Sequence, residues 1–336
     1  MFPDVIELLA AGAVIALVAG LATGVVLRFL ERRAILDVPN QRSSHKVPTP
    51  RGGGIAVIAV IAIAWAAMAV VTVDVAALLV VALASIIAVV SWLDDLWGLP
   101  IAFRLLTQAA AVAIGALLLP GEGQVFQGLL PPNFDAVIAA FLWLWFVNLF
   151  NFMDGIDGIA GGEALAIGLG LMLVTLAAGE PPLAAYYPLA VAAAALGFLK
   201  WNWPPARIFL GDTGSVALGF FLGWLLLDAA ARGQWAAAAI LPLYFLADAT
   251  ITLLRRMLKG EKIWQAHRGH FYQQGARRLG GHKPVVLRIL AGNVLLMALA
   301  LLTVLAPAMA VICVFLAAVP VGILLWYFAE PAKDST

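Results

Sequence analysis

Residues 75–100 read VAALLVVALASIIAVVSWLDDLWGLP. The 19 residues from Val75 to Leu93 carry no charge, and the run closes on Asp94 and Asp95 before Gly98 and Pro100 break it. A bilayer core about 30 Å thick needs about 20 apolar residues in a helix, so this stretch has the length of one membrane crossing. The two carboxylates fall at its end, where charge is tolerated only if it is paired, bound to a cation or wetted.

The pattern recurs along the chain. Of 336 residues, 64% are hydrophobic and 12% charged, which excludes a soluble globular domain and gives the class as an all-α polytopic membrane protein. Cutting at polar and Pro/Gly-rich breaks leaves eleven spans, at 8–27, 53–73, 75–93, 105–120, 136–150, 164–178, 184–199, 215–231, 235–254, 285–305 and 309–328. The expectation is 10–11 transmembrane helices in a single domain, 1–336, with the main loops at 28–52, 94–104, 150–163, 200–214 and 255–284. Asp4 and Glu7 precede the first span without a basic segment, so a retained helix is expected in place of a cleaved signal peptide. Cys313 lies in an apolar run and carries no disulfide information.

Alternating the loops of eleven crossings puts 19 of the 20 lysines and arginines on one side and only Arg232 on the other. The positive-inside rule makes the crowded side cytoplasmic, with the amino terminus periplasmic and the carboxyl terminus inside. The chain shows no two-half repeat of the kind that marks inverted-repeat transporters. Nearly all reactive side chains fall in the expected cytoplasmic loops.

Three acidic clusters share that face. Asp94 and Asp95 point about 100° apart on a helix, which suits one to a metal and the other to a proton or phosphate; a hydrated interfacial turn is the plain alternative. Asn148, Asn151, Asp154 and Asp157 recur every third residue, and Gly155 and Gly158 permit a helix break that would let them converge on one ligand. The alternative there is a glycine turn capped by aspartates. Gly211-Asp212-Thr213-Gly214-Ser215 opens the eighth span, where amides and the helix dipole would face phosphate and Asp212 could hold Mg²⁺. A plain helix cap is compatible with either role.

Two basic loops complete the face. Arg42 to Gly54 mixes cations, hydroxyls and glycines, and could wrap a diphosphate with Lys46 as point charge and Arg51 as fork. His267, Arg268 and His270 lie in the longest polar stretch; without a third histidine or a cysteine they suit an anionic ligand or proton transfer better than zinc. Asp248, inside the ninth span, is a functional candidate or a packing hydrogen bond, and His282 is expected to be peripheral.

In order, spacing and shared side these motifs resemble the polyprenyl-phosphate N-acetylhexosamine-1-phosphate transferases, the glycosyltransferase family 4 enzymes that start O-antigen and related glycans. The likeness covers most of the chain: His45-Lys46 to Gly54, Asp94-Asp95, Asn148 to Gly158, Asn202, Gly211 to Ser215 and the histidine loop. It implies transfer of a sugar phosphate from a UDP-N-acetylhexosamine to undecaprenyl phosphate, with release of UMP and use of Mg²⁺, or Mn²⁺, to offset repulsion between two anions. Asp212 would be the main metal ligand with Asp95 close by. Asp94 would be the base or orienting group, and Asp157, His267 and His270 would join the catalytic set. Lys46, Arg51, Asn148, Asn151, Asp154, Asn202 and Arg268 would bind nucleotide, diphosphate and sugar phosphate.

The family likeness also implies a multi-pass protein of the bacterial inner membrane whose partners are the UDP-sugar, polyprenyl phosphate and membrane lipid, with no nucleic acid, and it favours a homodimer. The His-Arg-Gly-His loop differs from a three-histidine run, which directs the likeness away from the peptidoglycan branch and toward O-antigen initiation. Two other classes compete. A lipid flippase would place acids at the midplane, and a UbiA-like prenyltransferase would space them as Asn/Asp-x-x-x-Asp, whereas these are adjacent or separated by glycine.

Overall fold

The computed structural model describes residues 5–39, 47–120, 124–262 and 267–329. Lys46, expected at the substrate phosphates, lies outside the described residues. The described residues are helical almost throughout: α1 Val5–Arg32, α2 Gly54–Thr72, α3 Val75–Trp97, α4 Ile101–Ala116, α5 Pro132–Met153, α6 Ile159–Ala177, α7 Tyr186–Asn202, α8 Asp212–Ala229, α9 Trp235–Ile240, α10 Leu243–Leu258, α11 Phe271–Arg278, α12 Lys283–Leu305 and α13 Ala310–Ala329. A short antiparallel pair, β1 Leu36–Asp37 with β2 Thr49–Pro50, sits between α1 and α2.

Among the described residues, nine helices are long and apolar enough to cross a membrane. One of them, Asp212–Ile240, is continuous only by hydrogen bonding, because Gly233 at φ 94° breaks the helical path and separates α8 from α9. Only glycine adopts that backbone without strain. The fourth expected span is the shorter α4, of 16 residues. The ninth, expected as one helix over 235–254, is two: α9 ends at Ile240 and α10 starts after Pro242, which has no N–H to continue the ladder. The expected loop 94–104 is also shorter than drawn, since α3 runs on to Trp97 and leaves Asp94 and Asp95 in its last turn.

Burial orders the helices. The most apolar stretch of Asp212–Ile240 is 83% buried, against 28% for that of α1 and 22% for that of α13, so α8 is the axis and α1 and α13 lie at the rim. Trp143 of α5 stacks on Phe220 and donates Nε1–H to its carbonyl at 3.0 Å, which fixes α5 against α8. Outward, Leu17, Leu21 and Val25 of α1 and Phe315, Ile323 and Trp326 of α13 are exposed. So extensive an apolar surface marks a membrane-facing protein.

Polar chemistry collects at the two ends. At one, Arg232 pairs with Asp228 at 2.8 Å and Glu180 at 3.2 Å, and Asp74 caps α3 and accepts from the Tyr187 hydroxyl at 3.1 Å. At the other end lie the last turn of α3, the break between α5 and α6, and the starts of α2, α8 and α12.

Candidate active site

The site begins with a backbone zipper. Gly52 and Gly53 donate N–H to the Phe209 carbonyl at 3.1 and 2.8 Å, Gly54 donates to Leu210 at 2.8 Å, and Phe209 donates back to Pro50 at 2.8 Å. The first residues of α2 and α8 touch: a Cβ on Gly54 would lie 2.2 Å from the Gly214 nitrogen. The glycines of the basic loop therefore serve a close approach of two backbones.

That approach brings Arg51 into the acids. One guanidinium nitrogen, Nη2, lies 2.9 Å from Asp95 Oδ1 and 2.5 Å from Asp212 Oδ1. Burial works against this charge, but Asp212 and Asp95 outweigh it and drive the Arg51 pKa further up. Arg104, opening α4, pairs with Asp94 and reaches Asp212 Oδ2 at 3.5 Å. Asp94 also accepts the Leu99 amide at 2.7 Å.

Asp95 additionally accepts the Thr213 amide at 3.2 Å, the Thr213 hydroxyl at 3.0 Å and, weakly, the Asp212 amide at 3.4 Å. The expectation of free amides at the start of α8 is therefore corrected. A carboxylate from α3 already occupies them, because a positive helix end buried beside an acid attracts it.

Asn148 donates to Gln108 Oε1 at 3.0 Å, and Asn151 accepts from the Ser215 hydroxyl at 2.6 Å. Asn148, Asn151 and Gln108 wall a cavity of about 100 Å³ together with Asp94, Arg104 and Asp212.

The chain breaks between Met153 and Ile159, as the glycines allow. Asp154 sits in the break, and burial, moderated by Arg51, raises its pKa to about 7. Asp157 accepts the Ala206 amide at 3.0 Å, its own amide donates to His282 Nδ1 at 3.3 Å, and its Oδ2 lies 3.2 Å from that ring nitrogen. Asn202 is turned into the fold: its oxygen accepts from the Gly158 amide and its nitrogen donates to the Ile208 carbonyl, both at 2.9 Å. With both ends of its amide taken by backbone, it braces the break instead of facing the cavity.

The histidine loop joins through Tyr272, whose hydroxyl donates to the Phe152 carbonyl at 3.1 Å. Asp248, fully buried on α10, accepts the Phe271 and Tyr272 amides at 3.0 and 2.9 Å and the Tyr244 hydroxyl at 3.1 Å, and lies 3.2 Å from His270 Nδ1. It caps α11 and orients His270. His267 stacks on His270 with centroids 4.8 Å apart. Burial, together with the neighbouring His270 and Arg256, lowers the His267 pKa to about 4, so its ring is neutral near pH 7. Arg268 is exposed, and its carbonyl accepts from Arg277 at 3.2 Å.

The carboxylates thus converge, with Asp94, Asp95, Asp212 and Asp154 around Arg51 and Arg104, and the histidines one layer away. Sequence reasoning passed over Arg104, set His282 aside as peripheral and left Asp248 open. A lone arginine ten residues beyond an acid pair was the available signal for Arg104.

A divalent cation fits the donor set. Asp95 and Asp212 are hard oxygen donors already sharing one cationic nitrogen, the arrangement a small cation would need. No cage of three or more Asp, Glu, His or Cys occurs among the described residues. Mg²⁺ does not require one, since it is held by one or two carboxylates plus substrate phosphate and water.

A multi-pass helical bundle whose carboxylates and arginines converge at the helix ends defines a polytopic integral-membrane protein. The family model described as glycosyl transferase family 4 matches residues 75–230. A probable undecaprenyl-phosphate N-acetylglucosaminyl 1-phosphate transferase of Bacillus subtilis is 30% identical over 266 residues, covering 75% of this chain and 72% of the relative. A decaprenyl-phosphate N-acetylglucosaminephosphotransferase of Mycobacterium tuberculosis is 29% identical over 322 residues, covering 84% and 79%. A phospho-N-acetylmuramoyl-pentapeptide-transferase of Mycolicibacterium gilvum is 31% identical over 271 residues, covering 65% and 75%. The chain belongs to glycosyl transferase family 4, the polyprenyl-phosphate N-acetylhexosamine-1-phosphate transferases.

Proposed function

We propose that the protein transfers an N-acetylhexosamine 1-phosphate from its UDP-sugar to undecaprenyl phosphate, releasing UMP, as the first membrane step of an O-antigen-like polysaccharide. The observation that carries this reading is the joining of Asp94, Asp95 and Asp212 with Arg51 and Arg104 in one site. An acceptor phosphate oxygen bonds to the sugar-linked phosphorus, the bridge between the two donor phosphates breaks, and the bridging oxygen leaves with UMP. Two anions must meet for this, so fixed cations around the reacting phosphorus offset their repulsion.

Arg51 and Arg104 supply those cations from opposite sides of Asp212. Asp94, held by Arg104 and the Leu99 amide, orients the acceptor phosphate. Asp154 and Asp157 line the donor side, and neutral His267 with Asp248-oriented His270 hydrogen-bonds the sugar phosphate. Asp212 and Asp95 would hold Mg²⁺ or Mn²⁺, which would neutralise diphosphate charge.

An apolar groove of about 600 Å³ between α5, α8 and the broken α9–α10 arm, with Trp143, Trp145, Phe146 and Leu246 in its walls, suits an isoprenoid chain. On α5 its walls end at Phe146, two residues before Asn148, and Phe126, Leu129 and Ala230 carry it toward the Arg232 end of the bundle. The reading places the site on the cytoplasmic face of a bacterial inner membrane, where soluble UDP-sugars are found.

Purified protein with a panel of UDP-N-acetylhexosamines and undecaprenyl phosphate tests it. UMP should appear only when lipid phosphate and divalent metal are both present, and chelation should stop it. Release of UMP at the same rate without lipid phosphate would sink the transfer reading, and undiminished turnover after chelation would sink the metal assignment.

A further inference from the structure

Between α6 and α12, beyond the break that carries Asp157, two buried acceptors lack donors. Glu163 and Asn293 are 1% and 2% exposed, and Asn293 Nδ2 donates to Glu163 Oε2 at 2.7 Å. The second oxygen of each side chain, Glu163 Oε1 and Asn293 Oδ1, is buried without a hydrogen-bond partner. Both are acceptors, both belong to the same pair, and nothing in the transfer chemistry uses them.

An ionised glutamate would leave a buried charge with one neutral hydrogen bond to offset it. A single proton removes both problems. Placed on Glu163 Oε1 and donated to Asn293 Oδ1, it closes a two-bond ring in which each group gives one hydrogen bond and accepts one. We infer that Glu163 and Asn293 form a neutral acid–amide clasp, with the proton resident on the glutamate, which locks α12 onto α6 and so positions His282 against Asp157.

The link to the site is one of register. α6 starts two residues after Asp157, and α12 starts one residue after His282. Glu163 and Asn293 are therefore fixed points on the two helices that Asp157 and His282 lead into, with Asp157 Oδ2 and His282 Nδ1 held 3.2 Å apart. Around the clasp the helices meet closely: a Cβ on Gly162 would lie 3.2 Å from Leu290 Cδ2. A slip of α12 by one residue, about 1.5 Å along its axis, would carry His282 out of hydrogen-bond reach of Asp157. Glu163 and Asn293 are thus positioning residues that act through His282. The clasp stands on its own geometry, while its effect on turnover rests on the proposed transfer reaction.

The test uses the full-length protein in lipid nanodiscs. Infrared difference spectra between the wild type and Glu163→Gln should show one protonated-carboxyl C=O stretch in the wild type that is lost in the variant. Glu163→Gln, which can close the same ring through its own N–H, should keep the wild-type melting temperature and kcat, whereas Asn293→Leu and Glu163→Ala should lower both. A displacement near 1 Å makes a loss of about 10- to 100-fold in kcat the expected scale. A clasp acting through His282 should also make His282→Ala much less harmful in the Asn293→Leu background than alone.

An infrared spectrum with no such band, or a Glu163→Gln variant as damaged as Glu163→Ala, would overturn the proton assignment. Additive effects of Asn293→Leu and His282→Ala on kcat would overturn the positioning role. The infrared and melting results read the clasp even if the transfer assay fails, so the two failures are distinguishable.

Discussion

At residue scale, the three aspartates at span ends were legible because a carboxylate beside lipid needs a reason. Asp94, Asp95 and Asp212 converge where that logic put them. Arg104 was not legible, because a cation in a loop is already accounted for by topology and only the fold shows that it reaches Asp94 and Asp212. Arg104→Gln should lower kcat by about 100-fold, the scale for losing one preorganised charge-stabilising donor, with the melting temperature showing whether folding is intact. Asp154 gives a pH prediction. Its pKa near 7 exceeds the ordinary 3.8, so the carboxylate that can serve the donor side forms only as pH rises through 7. The sign for stability is opposite: burying the ionised form destabilises the fold, an effect absent below the ordinary pKa and complete above 7. kcat/KM should therefore climb with an apparent pKa near 7, and Asp154→Asn should flatten that limb; an unchanged limb in the variant would assign it to another group.

At the scale of elements, the many-span helical architecture and the break at Asp154 to Gly158 could be read from hydropathy and glycine placement, while the eleven expected spans resolve into nine long apolar helices among the described residues with a shorter α4. The division of the ninth span could not be read, because a proline inside an apolar run has no fixed reading until packing shows whether the helix kinks or ends, and at Pro242 it ends. The glycine run 52–54 was read as a loop that could approach phosphate, but Gly54 is spent on contact with Gly214. Gly54→Ala should push α2 from α8 and carry Arg51 away from Asp95 and Asp212. The expected cost is about 1–3 kcal/mol in stability, the range for overpacking a tight contact, with a larger proportional loss in activity. Asp248 belongs to this scale as well, since one carboxylate caps the start of α11 and sets His270. Asp248→Leu should loosen the histidine loop, seen as faster amide exchange at Phe271 and Tyr272 and a raised KM for the UDP-sugar.

For the whole molecule, composition gave the class and the cation count gave a sidedness, while the order of helices around α8 required the fold. Which helix forms the axis depends on how surfaces fit, and α2, α8 and α13 are all apolar enough in sequence to have been central. Sidedness is testable with Cys313, which is buried, left in place. A cysteine at Gln127 should react with an impermeant maleimide in intact cells, and one at Lys259 only after the membrane is opened. The most direct measurement of the central claim uses UDP-sugar labelled at the sugar-linked phosphorus, with undecaprenyl phosphate and either the wild type or Asp212→Ala. The expected result is label in the lipid product, one UMP formed per labelled lipid, and loss of both in the variant with its melting temperature kept. Label remaining in water-soluble products, or full transfer by Asp212→Ala, would contradict it.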